Sequence, residues 1–316
     1  MSEWLIGFDI LKILAAFTVV LIHTSVPNMD WQQMAFACLP PANAVFGIMA
    51  GFFLWRIMDD ARAKVKEWLG RRIARLLLPY LIWESVYVIL NVIFDCLRGN
   101  DISILSDECS WLGIVFAGSG SVQLWFVVFL FYAQCFFVGV ALLLSGTRLL
   151  VPVLSALTVV MFYCQSLLNG GTVMYKFLFI SGCCVVGLML GAIVAGDRYR
   201  ILLAVAILCL PAFFCNCRRA LLWICVFYAL SFAPSLTRRL GNGTSCFIAL
   251  LSSLTMAVYL LHVLVCRAVG IAFGVRLHGL YYAYEPYWLI VSTAVSFSVS
   301  IGLVWCFRRF KWLWGA

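Results

Sequence analysis

Apolar positions in this chain run unbroken for about twenty residues at a time, and short basic or polar stretches separate the runs. A helix of roughly 20 apolar residues spans a bilayer's hydrocarbon core. Ten runs fit that template, at about 5–26, 42–58, 76–95, 122–145, 149–168, 174–195, 200–216, 219–235, 247–274 and 285–307. The seventh and eighth are short, with only "NCRR" (Asn216–Arg219) around their junction. The pattern predicts an all-α integral membrane protein, a bundle of about ten transmembrane helices forming one membrane-embedded domain over residues 1–316. The first run is expected to be retained as a helix, because no positive segment precedes it and Asp9 and Lys12 interrupt it. No internal repeat and no long polar segment stand out.

Composition sharpens this. Hydrophobic residues make up 65% of the 316 and charged residues 11%, against about 25% charged in soluble domains. Mean hydropathy is +1.06. The net charge of +9 falls in short clusters between runs, where it encodes topology, so nucleic acid is not an expected partner. The fourteen cysteines lie mostly inside apolar runs, where free cysteine acts as a small hydrophobe. Cys215 and Cys217 form a lone C-x-C without a second ligand pair, and no metal is expected.

The loops give an orientation. "RAKVKEWLGRRIAR" (Arg62–Arg75) sets Arg62, Lys64, Lys66, Arg71, Arg72 and Arg75 against the single acid Glu67, which places it in the cytoplasm. Both termini are then expected to be cytoplasmic. The acid-rich loop from Asp95 to Trp111 falls outside. Arg218 and Arg219 also fall outside, against the rule, which marks either an unusual hairpin or arginines with a task.

Ionisable groups inside spans are costly and point to function. The first run carries Asp9, Lys12 and His23. Lys12 and His23 are eleven positions apart, about 20° out of phase and roughly 16 Å apart along a helix, and Asp9 lies one turn before Lys12. Three polar groups in phase imply a polar cavity, although Lys12 alone could snorkel. Arg72 and Arg75 sit one turn apart at the cytoplasmic mouth of the third run, with Arg71 on an adjacent face. They suit either anchoring or phosphate capture by guanidinium forks. Glu84, about two turns deeper, calls for a cationic partner. His262 lies deep in the ninth run and Arg267 follows it. Gln123 and Trp125 open the fourth run, where tryptophan commonly anchors the interface.

The order of these motifs resembles the acyltransferase-3 family of membrane O-acyltransferases. The family opens with Gly-x-Asp-x-x-Arg and a histidine after ten intervening residues. Here Gly7, Asp9, Lys12 and His23 match, with Lys in place of Arg. "FGIMAGFF" matches the second-helix pattern with Ala50 in place of Ser. "RRIARLLLPYLIW", "LWF" (Leu124–Phe126) and "VYLLHVLV" around His262 match the later motifs. The resemblance implies a single-domain form, without the extracytoplasmic esterase-like domain that some members carry.

The resemblance implies a multi-pass protein of a bacterial cytoplasmic membrane. It would move an acyl group, by default acetyl from acetyl-CoA, to a hydroxyl on an extracytoplasmic saccharide or lipid-linked saccharide. Lys12, Arg71, Arg72 and Arg75 would hold the CoA phosphates. His23 would act as general base or as acyl carrier. Asp9 would pair with Lys12 or orient the arginines. Glu84, Gln123, Trp125, His262 and Arg267 would meet substrate. The other reading of an intramembrane Asp, Lys and His stripe is a proton-coupled transporter or glycan exporter.

Overall fold

The computed structural model describes residues 6–24, 38–58, 61–98, 113, 116–118, 123–144, 149–169, 172–194, 215–231, 241–272, 286–306 and 309, and among them there is no strand. The helices are α1 (Ile6–Thr24), α2 (Ala42–Met58), α3 (Ala61–Arg72), α4 (Leu78–Arg98), α5 (Trp125–Leu144), α6 (Leu150–Ser166), α7 (Val173–Val194), α8 (Cys215–Ser231), α9 (Gly241–Ala272) and α10 (Pro286–Cys306). Among the described residues, five stretches are long and apolar enough to cross a membrane: Ile6–His23, Lys64–Leu97, Trp125–Leu144, Val173–Val194 and Gly243–Val269. Shorter apolar helices cover Ala42–Trp55, Leu150–Ser166, Arg219–Ser231 and Thr293–Cys306. Of the expected run at 200–216, residues 200–214 lie outside the described residues.

The third run departs from its expected form. α3 continues through a π turn, Ile73–Leu77, into α4, so the apolar run at 76–95 is the far part of a longer helix. Pro79 explains the turn. A proline ring collides with the carbonyl four residues back and donates no hydrogen bond, and a turn with i→i+5 bonding relieves this. The Leu78 N–H reaches the Ile73 carbonyl accordingly. The wide turn starts directly after Arg72, so Arg75 does not repeat its position. Arg72 is half-buried, whereas Arg71 and Arg75 are exposed.

The chain divides into two compact units, residues 1–45 with 219–314 and 316, and residues 46–218 with 315. In the second, α5 packs on α7 and α3, and α6 packs on α7. α4 has two faces: Tyr80, Trp83, Glu84 and Tyr87 are buried, while Leu78, Ile89, Ile93 and Leu97 are exposed. An apolar outer face over a buried face holding an acid is the polarity expected in lipid. α2 and α7 meet through a reciprocal pair of glycine motifs. A Cβ on Gly51 would overlap the Cys184 carbonyl, and one on Gly187 would overlap the Ile48 carbonyl. Gly47 faces the Cys183 Cβ (2.8 Å from an added Cβ), and Gly191 faces Trp55. Small residues four apart allow such backbone contact, which dispersion then rewards in a solvent as apolar as the helices.

In the first unit, α1 packs on α9 and α10, and α9 on α10. The first turn of α1 also meets the last turns of α8. The Gly7 N–H donates to Ser231 Oγ (3.0 Å), Ser231 Oγ donates to the Phe227 carbonyl (3.0 Å), and Phe8 lies against Tyr228. A side chain at position 7 would overlap the Phe227 carbonyl. The motif's glycine is therefore a packing requirement. α8 runs opposite to α1, whereas α1 and α9 run the same way, since Asp9 meets Ser252 and His23 meets His262. Alternation predicts these directions for the eighth, first and ninth runs. Arg219, one of the two arginines against the charge rule, donates to the Leu39 carbonyl (2.8 Å), just before α2. Arg218's side chain lies outside the described residues.

Candidate active site

Two polar groups of residues occupy the seam between α1 and α9. At the N-terminal end of α1, Lys12 Nζ donates to Asp9 Oδ1 at 3.0 Å. Ser252 Oγ of α9 donates to the same oxygen at 2.5 Å. Asp9 is buried and Lys12 keeps 30% side-chain exposure. The pairing of Asp9 with Lys12 expected from the sequence is present. The local cause is the three-residue spacing, which sets the two side chains on adjoining positions of one helix face. Ser252 drew no notice in the sequence, because a serine in an apolar run usually back-bonds within its own helix.

Breaking this pair by Asp9→Asn should lower stability by about 2 kcal/mol, because Lys12 loses a charge-assisted partner away from bulk water. Adding Lys12→Met should restore part of the loss, since no ammonium is then left facing the lost carboxylate. Melting curves of the two variants in detergent check this. A single variant melting with wild type would contradict it.

At the other end of the seam, about 21 Å along α1 from Asp9, the His23 and His262 rings lie 4.9 Å apart between centroids, tilted by 50°. His23 is half-buried and His262 is 0% exposed. His262 Nδ1 is 2.7 Å from the Tyr259 carbonyl oxygen, one turn back. A carbonyl only accepts, which assigns the proton to Nδ1. The sequence treated the two histidines separately; the parallel course of α1 and α9 brings them together. Arg267 is five residues further on, about 140° around the helix, so it does not share His262's face. Phe17 closes the seam edge-on against Phe297 of α10 (5.5 Å).

In the second unit the arginines separate. Arg71 pairs with Glu67 at 2.7 Å on an exposed surface. Arg72 stacks over Trp68 (5.9 Å) and lies within electrostatic reach of Cys184 on α7 and Cys135 on α5. Glu84 is buried beside Tyr80, whose hydroxyl meets the backbone of Gly118. Gly118 has φ +65°, and a Cβ there would crowd the Trp125 nitrogen at 2.6 Å. Gln123 is buried. Trp125 carries Lys176 Nζ over its ring at 5.4 Å, a cation–π contact with a lysine not singled out in the sequence. No group of three or more metal-ligating side chains occurs among the described residues.

A half-buried histidine against a buried one, and a buried aspartate paired with a partly exposed lysine, among apolar helices long enough to cross a membrane define a multi-pass membrane protein with ionisable groups along its α1–α9 seam. The family comparison makes this specific. The model of the acyltransferase-3 family, described as an acyltransferase domain, matches residues 5–309, and the chain belongs to that family. No curated protein and no solved structure matches it.

Proposed function

We propose that the protein transfers an acyl group, acetyl in the first instance, from acyl-CoA to a hydroxyl of an extracytoplasmic saccharide, within a bacterial cytoplasmic membrane. The observation that carries this reading is a half-buried histidine, His23, against a second, fully buried one in a chain of an acyltransferase family.

His23 acts as the general base. Its ring takes the proton of the acceptor hydroxyl as the oxygen attacks the thioester carbonyl. The new C–O bond forms, the C–S bond breaks, and the proton passes from His23 to the departing sulfur. Among the arginines of the second unit proposed to bind the CoA phosphates, Arg72 contributes most. Its side chain is held by Trp68 and turned inward, so little rotamer freedom is lost on binding. Arg71 is already engaged with Glu67, and Lys12 serves as a point charge balanced by Asp9. Trp125, Gln123 and Glu84 contribute to acceptor binding, where an aromatic face and buried polar groups suit a sugar ring.

Arg72→Gln should weaken CoA binding by about tenfold or more, the equivalent of one charge-assisted contact. Arg71→Gln should change it less. Titrating CoA into purified protein measures both. Arg72→Gln binding CoA like wild type would remove the arginine from the donor site. Absence of saturable CoA binding to wild type would favour the transporter reading.

A further inference from the structure

We infer that His262 is a positioning residue for His23, presenting the bare Nε2 of its imidazole as the acceptor for a His23 N–H; this rests on the reading of His23 as the base. Two geometric observations converge on it. The Nδ1 proton is committed to the Tyr259 carbonyl, so in the neutral ring Nε2 carries a lone pair. That nitrogen is buried without a hydrogen-bond partner among the described residues, and such an acceptor in an apolar interior is unfavourable unless something completes it.

The His23 ring is the neighbour in place, at 4.9 Å between centroids. The terminal torsion of histidine is soft, and a modest rotation of the half-buried ring sets one of its nitrogens on His262 Nε2. The direction of the hydrogen bond then follows. His262 can only accept, so His23 must carry a proton on the nitrogen facing it. Its other nitrogen is left bare for the acceptor hydroxyl.

The sequence reading grouped His262 with the acceptor. With 0% exposure, it instead stands behind His23 and acts through it. Its part corresponds to that of the orienting group in a hydrolytic triad, which fixes the base's tautomer and stabilises the imidazolium formed when the base takes a proton. No proton is gained or lost at His262. It accepts the same hydrogen bond while His23 takes the hydroxyl proton and returns it to sulfur.

The test uses the full chain in nanodiscs. The chain has only three histidines, so 15N-histidine NMR resolves them. His262 is expected as the Nδ1–H tautomer, with an Nε2 resonance that moves on His23→Ala. An Nε2–H tautomer, or an Nε2 resonance indifferent to His23→Ala, would overturn the inference. Kinetically, His262→Leu should lower kcat by about 10–100-fold, part of the 10²–10⁴-fold a positioned base contributes, with KM for acetyl-CoA unchanged. His262→Gln, whose amide oxygen can accept at a similar reach, should recover most of the rate. Wild-type kcat in His262→Leu, or equal loss in both variants, would overturn it. Transfer by wild type that is unaffected by His23→Ala would instead defeat the base reading. The NMR result is independent of turnover, so the two failures are distinguishable.

Discussion

Replacing His23 by alanine should reduce acyl transfer by about 10²–10⁴-fold, the contribution of a positioned acid–base group. CoA affinity should stay within about twofold, since the cationic group proposed for the phosphates on the same helix, Lys12, lies roughly 16 Å along the axis from that ring. The loss should fall on kcat, because the interaction removed strengthens only as the proton moves. Rate measurements with acetyl-CoA under saturating acceptor, paired with CoA titration, separate the two parameters. Loss of CoA binding together with rate would indicate a structural defect. An acyl-imidazole route through His23 would leave label on the protein when acceptor is withheld, whereas the base mechanism leaves none.

The second large effect concerns packing. Gly187→Ala should sharply reduce the amount of folded protein and its melting temperature, although alanine is the better helix former. Its Cβ would overlap the Ile48 carbonyl and approach the Phe52 nitrogen at 2.7 Å. Backbone cannot step aside as the end of a long side chain can, so α2 and α7 must separate along their shared seam. Overpacking typically costs about 1–3 kcal/mol, and loosening of the close contacts of Gly51 with Cys184 and of Gly191 with Trp55 adds to it. Gly139→Ala is the matched control. Nothing lies within 4 Å of a Cβ there, so the same chemical change in α5 should be neutral or stabilising by up to about 1 kcal/mol. Fluorescence-detected size exclusion with a thermal ramp reads both. Equal behaviour of the two variants would contradict the seam.

Hydropathy and charge carried much of this in one dimension. The bounds of α1, α2 and α7 lie within about two residues of the apolar runs, since a helix in lipid must be apolar for its whole crossing. Where that rule weakens, so did the reading. α3 is polar enough to look like a loop, so its continuity with α4 was hidden until the π turn before Pro79 joined them. The Gly-x-x-x-Gly spacings at 47–51 and 187–191 are plain in the sequence, but which helix each would meet is not.

The site was legible to the same degree. Periodicity set Asp9, Lys12 and His23 on one side of α1, and the structure sets Asp9 and His23 against α9. Ser252 and the Tyr259 carbonyl, which fix Asp9 and His262, come from tertiary contact and from a backbone atom, and neither leaves a sequence signal. Arg219 was visible as a violation of the charge rule; its target, the Leu39 carbonyl, was not.

The most direct test of the central claim is acetyl transfer from radiolabelled acetyl-CoA in membranes bearing wild type or His23→Ala. Label delivered to an extracytoplasmic saccharide fraction by wild type and lost in the variant is the predicted result. Equal delivery by both would remove His23 from the chemistry. No delivery by either, with no saturable CoA binding, would contradict acyl transfer and leave the transporter reading.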